Sequence, residues 1–169
     1  PHQRQQCLQP FTADIRGDVT GTTDAGIFTV HTGPADTVII ISADTTVQGG
    51  ATAIRATSNN GELIDIDNAG VLQNLNGLDS ALVIETSGGA TELDNTNQIT
   101  GRITLGGFDD TFNNFSTWST GGTSDFGLGN DTLLNSNLLE AANEDGVSET
   151  TIFSGLEVFN NEGTVALND

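Results

Sequence analysis

One short pattern recurs along this chain of 169 residues: an apolar residue, a variable residue, an asparagine, two small or polar residues and then a second strand-like pair. The recurring asparagines are Asn68, Asn95, Asn114, Asn135 and Asn161. Their spacing varies between about 19 and 27 residues, which is typical of a solenoid whose coils carry loops of different length. A coil of this length has little room for a strand and a full helix, but it holds three short strands and three turns.

Alignment of the chain on itself supports the repeat. An offset of about 27 residues pairs Gly50 with Gly77, Gly61 with Gly88, Asp67 with Asp94, and Leu72 with Ile99. An offset of about 21 residues pairs Gly106 with Gly127, Asp110 with Asp131, and Thr111 with Thr132. The sequence therefore predicts an all-β, three-sided solenoid of about seven coils, which at about 4.8 Å per coil gives a rod of roughly 35 Å.

Segments within each period have the composition of strands. They are short, rich in β-branched residues and separated by clusters of Gly, Asn and Asp, as in 27–30, 37–42, 53–57, 63–66 and 81–86. Stacked coils would place Ile, Leu, Val and Phe in columns facing inward. Residues 137–146 are compatible with a helix but too few to form one alone, so we expect a loop excursion there.

A repeated asparagine has a physical use in such a stack. Its backbone adopts a left-handed conformation at little cost, and its amide can bond the asparagines above and below it. We therefore predict a ladder at the five positions named above. The alternative is that asparagine is simply common in turns.

Composition excludes several functions. The chain carries 23 acidic residues against four arginines and no lysine, and its formal net charge is -19. We do not expect nucleic-acid binding, because phosphate contacts need a basic face. One cysteine, Cys7, cannot form an internal disulfide; it either pairs with a thiol elsewhere or is an exposed thiol near the chain's start.

Five segments resemble the passenger β-helix of Gram-negative autotransporters, namely 47–57, 66–72, 99–114, 126–133 and 153–165. The resemblance covers about residues 40–169. It implies a right-handed parallel β-helix that is exported, passes through a C-terminal outer-membrane β-barrel of the same precursor and is displayed at the cell surface or released. We expect residues 1–30 to form an N-terminal tail and cap, and residues 31–169 to form the coils of one domain from a longer passenger.

Catalytic residues are not predicted. His31 is the only central histidine, and no Gly-x-Ser-x-Gly nucleophile elbow accompanies it. A β-helix enzyme acting on polysaccharides would use clustered carboxylates, and Asp109 and Asp110 with Asp131 one coil later are the candidates. An acidic chain repels polyuronates, however, and turn capping explains the same aspartates.

Calcium is the one cofactor that the sequence suggests, and the site residues would again be Asp109, Asp110 and Asp131. Residues 126–134 match the calcium-binding nonapeptide except at its first glycine. Consecutive nonapeptides are missing, so a shared cage of ligands is not expected, and no other metal or cofactor is predicted.

The predicted function is therefore non-enzymatic: an extracellular or cell-surface stalk or adhesive module. Its predicted partners are the barrel of its own precursor and a ligand on a host or neighbouring cell. Two alternatives stay open. One is a filament of copies stacked head to tail, and the other is a β-helix enzyme acting on polysaccharides.

Overall fold

The computed structural model describes residues 9–141 and 150–167. Within these ranges the chain forms eighteen β-strands and no helix. The strands are β1 (Phe11–Ile15), β2 (Val19–Gly21), β3 (Ala25–His31), β4 (Thr37–Ile41), β5 (Thr46–Gly49), β6 (Thr52–Asn68), β7 (Val71–Asn74), β8 (Leu82–Asn95), β9 (Gln98–Thr100), β10 (Arg102–Thr104), β11 (Thr111–Asn114), β12 (Thr117–Thr120), β13 (Thr123–Asp125), β14 (Thr132–Asn135), β15 (Leu138–Ala141), β16 (Ile152–Ser154), β17 (Val158–Asn161) and β18 (Thr164–Leu167).

Every strand pairing is parallel, and the strands form three columns. The first column contains β1, β4, the second halves of β6 and β8, and then β11, β14 and β17. The second contains β2, β5, β7, β9, β12, β15 and β18. The third contains β3, the first halves of β6 and β8, and then β10, β13 and β16. The predicted three-sided parallel solenoid is confirmed.

Two sheets result from these three columns. Long strands β6 and β8 turn the corner between the third and first columns, so those columns share one 11-stranded sheet, while the second column is a separate 7-stranded sheet. The described chain makes six complete coils and two strands of a seventh, slightly fewer than the sequence predicted. Parallel pairing begins at Phe11, inside the segment expected to be the cap.

The core is a stack of apolar side chains that alternate along most strands with residues that face outward. In the first column Ile39, Ile66, Leu93, Phe112 and Leu133 lie in register and are fully buried. Each such side chain contributes about 1.5–3 kcal/mol when it leaves water. Because a coil has no core of its own, this burial is available only through stacking.

The fifth coil (β11, β12 and β13) contains the largest buried side chains. Phe112 and Trp118 face each other with ring centroids 4.8 Å apart. The indole Nε1 of Trp118 donates a hydrogen bond to the carbonyl oxygen of Gly101 at 3.0 Å. The only tryptophan of the sequence is thus buried with its polar atom satisfied, as a buried indole requires.

Three of the seven predicted repeat alignments appear as strand register. Asp67 pairs with Asp94, Leu72 with Ile99, and Thr111 with Thr132. Two glycine pairs differ from the prediction. Gly61 pairs with Gly89 rather than Gly88 because a bulge shifts the register of β6 against β8, and Gly50 is not matched with Gly77 because β5 and β7 are 25 residues apart in register, as in Val47 with Leu72.

The expectation of a loop excursion at 137–146 is wrong for its first part. Leu138–Ala141 is strand β15, paired in register between β12 and β18. Its neighbours on both sides supply backbone hydrogen bonds and bury Leu139, so tertiary pairing overrides the helical propensity of the segment. Residues 142–149 lie outside the described chain.

Candidate functional site

The five predicted asparagines form a continuous ladder. The side-chain Nδ2 of Asn68 donates to Oδ1 of Asn95 at 2.8 Å, and the same bond joins each asparagine to the next through Asn114 and Asn135 to Asn161. The first four members, from Asn68 to Asn135, are buried. The ladder is therefore a stacked hydrogen-bonded column, and the alternative of turn asparagines without mutual contact is excluded.

A second bond, from the Nδ2 of each of the first four asparagines, ties the first column to the second. It ends on the backbone carbonyl of the first residue of the next coil's second-column strand: Gln98, Thr117, Leu138 and Thr164 in turn. The predicted left-handed backbone is wrong, because Asp44 (φ 60°) is the only non-glycine residue with positive φ in the described ranges. The asparagines instead end extended strands, from which their amides point into the corner.

A second ladder, made of carboxylates, lies at the start of the first-column strands. Oδ1 of Asp110 accepts the backbone N–H of Thr91 at 2.6 Å, and Oδ1 of Asp131 accepts that of Asp110 at 2.7 Å. Oε2 of Glu157 continues the series by accepting the N–H of Asp131 at 2.8 Å. The predicted capping role is therefore present, although these acids cap the amide of the preceding coil rather than of their own loop. The sequence prediction did not include Glu157.

Burial perturbs these acids strongly. Asp110 and Asp131 are fully buried, and their Oδ2 atoms have no hydrogen-bond partner within the described chain. The pKa of Asp110 is raised to about 7, chiefly by loss of water and in addition by the charges of Asp131 and Asp109, while the hydrogen bonds from Thr91 oppose the rise. The pKa of Asp131 is raised for the same first reason, and then by Glu157, Asp109 and Asp125.

The calcium candidates do not converge into a ligand set. Asp109 is exposed, and its Oδ1 accepts the backbone N–H of Asn130 at 2.9 Å, while Asp110 and Asp131 point inward. Nowhere in residues 9–141 and 150–167 do three His, Cys, Asp or Glu side chains group as a metal site would need. One carboxylate oxygen of each of the three aspartates accepts a backbone N–H.

Four further acids lie side by side on the outer face of the first column, where Asp65 pairs with Glu92 and Asp67 with Asp94. Partial burial raises the pKa of Asp65 to about 6, and its three neighbours in this array and Asp36 add to the rise. The sequence analysis did not predict this array, although the alternation of apolar and acidic residues in 63–67 indicates it, because alternate residues of a strand lie on one face.

His31 ends strand β3, where its ring lies 6.2 Å from that of Phe11, and its Nδ1 is buried with no hydrogen-bond partner in the described chain. Cys7 lies outside the described residues. A shallow groove of about 420 Å³ runs between Phe108 and Leu128, with the exposed Asp109 at its side. Within the described residues, no hydrogen bond or ion pair links His31 to Asp109, Asp110 or Asp131.

The last described coil exposes side chains of the kind that earlier coils bury. Phe159 is 44% exposed and Val165 is 40% exposed, whereas Leu133 and Leu139, directly below them in register, are 0% and 1% exposed. The backbone edges of β17 and β18 are free of a following strand among the described residues. This end of the stack therefore exposes both apolar side chains of the core type and unpaired backbone groups of a sheet edge.

Comparison with protein families, curated proteins and solved structures finds no match to this chain. Within the described ranges no helix is long and apolar enough to cross a membrane. The arguments about function therefore depend on the solenoid and its surfaces.

Proposed function

We propose that the chain is a non-enzymatic stalk or adhesive segment of an extracellular or cell-surface protein, of the autotransporter passenger type. The observation that carries the proposal is the unbroken parallel stack, in which every coil is tied to the next by core columns, and the third to seventh coils also by the asparagine ladder. Such a stack forms a stiff rod with long flat faces, which suits spacing and surface contact.

The acidic surface supports this role. A net charge of -19 keeps copies of the rod apart along their sides. Of the three candidate acids for catalysis, Asp110 and Asp131 are fully buried and so cannot reach a polymeric substrate, which leaves only the exposed Asp109. These observations favour a surface role over hydrolysis or lyase chemistry.

The proposal includes a C-terminal β-barrel of the same precursor as the route to the cell surface. The test joins this chain, behind a secretion signal, to an autotransporter barrel in a Gram-negative host. Expected results are antibody access on intact cells and adhesion of those cells to a surface that cells bearing the barrel alone do not bind. A chain retained in the periplasm, or displayed without any gain in adhesion, would contradict the proposal.

Catalysis is tested separately. The purified chain is incubated with a panel of neutral and acidic polysaccharides, and we expect no new reducing ends and no unsaturated ends. Product formation that is lost in Asp110→Asn but not in the exposed Asp44→Asn variant would favour the enzyme instead.

A second candidate function, end-to-end assembly, is favoured by the exposed apolar side chains of the last coil. Phe159, Val165 and Leu167 form a surface that takes another coil as its neighbour, of the same polypeptide or of another copy. Light scattering and electron microscopy of this chain across a wide concentration range test it. Concentration-dependent rods that Phe159→Asp and Val165→Asp abolish would support assembly, whereas monomers throughout would contradict it.

A further inference from the structure

Charge is distributed unequally between the two sheets. The seven strands of the second column contain a single charged residue, Glu140. The 11-stranded sheet, in contrast, carries the arrays around Asp65 and Asp94 and the ion pairs of Arg55 with Asp24 and Glu85. On a chain with a net charge of -19 this leaves the strands of one long face almost uncharged, with the exposed Asp18 at the edge of the first coil, where its carboxylate accepts the backbone N–H of Thr46.

The outer side chains of the 7-stranded sheet form two regular rows. One row runs through Thr46, Val71, Gln98, Thr117, Leu138 and Thr164, and the other begins with Thr20, Gln48 and Gln73. Thr20, Gln98 and Thr164 are exposed and the others in these rows are half-buried. The second row continues through Thr100 and Ser119, which are buried, and then through the half-buried Glu140 and Ala166, so its uncharged polar part lies in the first three coils.

Hydrogen bonds within the face hold its amides in place. Nε2 of Gln73 donates to Oε1 of Gln48 at 3.0 Å, and Nε2 of Gln48 donates to Oγ1 of Thr20 at 3.2 Å. Each amide nitrogen has a second N–H that can point outward. Side chains that are already ordered lose less conformational entropy on binding a ligand.

We propose that this face binds an uncharged polysaccharide chain, an inference that rests on the proposed adhesive function and names its ligand class. Sugar hydroxyls donate and accept hydrogen bonds, as amides and threonine hydroxyls do. The apolar faces of sugar rings match the half-buried Val71 and Leu138 in the same row. A chain laid along the rod meets a similar row residue at each coil, about 4.8 Å apart.

The charge of the chain and the area of the face favour this ligand over polyanions and over a second copy of the chain. Polyuronates, nucleic acids and anionic lipids are repelled by the acidic protein. A second copy packed face to face would cover roughly 30 Å by 13 Å, about 400 Å². That is about half of the 800 Å² per partner that a stable protein interface buries. A single polysaccharide strand fits the same area without that requirement.

The test measures retention of the purified chain on particles of cellulose, β-1,3-glucan, mannan and starch, with polygalacturonate as the charged comparison. Retention on at least one uncharged polymer and none on polygalacturonate is expected. Gln73→Glu places a charge in the face and should weaken the apparent affinity at least tenfold. Asn160→Asp makes a similar change on an outer strand of the 11-stranded sheet and should change it less than twofold.

Gln98→Glu, at an exposed position of the other row, serves as a second variant if Gln73→Glu does not fold, as judged by circular dichroism and Trp118 fluorescence. Failure of the wild-type chain to bind any uncharged polymer, or equal weakening by the test variants and Asn160→Asp, overturns the inference. If displayed cells still adhere in that case, only the ligand class is wrong. If polysaccharide binding holds but display gives no adhesion, the proposed function is wrong.

Discussion

Asn95 and Asn114 lie in register on successive coils, and Nδ2 of Asn95 donates to Oδ1 of Asn114 at 2.8 Å inside the first corner of the solenoid. The same Nδ2 also donates to the backbone carbonyl of Thr117 at 2.9 Å. One amide therefore links two coils and two columns at once. Since both side chains are fully buried, neither water nor a neighbouring side chain can easily replace the bonds.

Removal of Asn114 should destabilise the stack. In Asn114→Ala the Nδ2 of Asn95 loses one of its two acceptors and Oδ1 of Asn135 loses its donor, both in a buried corner. We expect the free energy of unfolding to fall by about 2–3 kcal/mol, measured by urea denaturation. Asn160→Ala, at an exposed position on the outer face, should change it by less than about 0.5 kcal/mol. Equal effects of the two variants would show that the ladder adds no stability.

Close stacking at the third-to-first corner makes Gly127 irreplaceable. Its φ is +89°, and a Cβ at this position would lie 1.6 Å from the carbonyl oxygen of Gly106 in the coil below. Gly127→Ala should lower the melting temperature strongly, with a loss of about 3 kcal/mol or more. Gly17→Ala is the control, because a Cβ there meets nothing within 4 Å. A Gly127→Ala variant as stable as Gly17→Ala would contradict this packing.

Stability should increase on mild acidification because of Asp110. Its pKa rises from 3.8 in the unfolded chain to about 7 in the folded one, mainly through burial, so between these values the folded chain binds more protons. The linkage relation then makes the unfolding constant grow with pH in this window, by up to about tenfold per pH unit, with no further change from this group above it.

Denaturation of Asp110→Asn and Asp44→Asn between pH 4 and pH 8 tests this sign. Both variants remove one negative charge, and Asn tolerates the positive φ of position 44. Asp110→Asn should be the more stable of the two near pH 8 and should have a shallower pH dependence, by up to about one proton. Parallel profiles would mean that general repulsion among the acids, rather than Asp110, causes the effect.

Calcium should act on this chain only through its charge. The described residues offer no group of three ligands, and one oxygen each of Asp109, Asp110 and Asp131 accepts a backbone N–H. We expect Ca²⁺ and Mg²⁺ at equal concentration to raise the melting temperature equally, by screening the acidic surface. A calcium-specific shift that is reversed by a chelator and lost in Asp109→Asn would establish the predicted site after all.

Much of the architecture could be predicted because a stacked coil repeats its environment. Asn95 is followed 19 residues later by Asn114, and Asp67 is paired with Asp94, since each coil needs a similar residue at a similar place. The asparagine ladder was found for this reason. Glu157 was not, because it replaces aspartate in the carboxylate column and follows Asp131 by 26 residues, whereas Asp131 follows Asp110 by 21.

The sequence by itself determined the period, the all-β character and the residues of the ladder, because these follow from local composition and from recurrence along one dimension. Only the tertiary structure decided which polar and acidic side chains are buried, since their burial depends on how three columns close around a core. That closure buries Asp110 and Asp131, makes a strand of Leu138–Ala141 and assigns nearly all strand charges to one sheet. The uncharged face is therefore a property of the folded coil, not of any single segment.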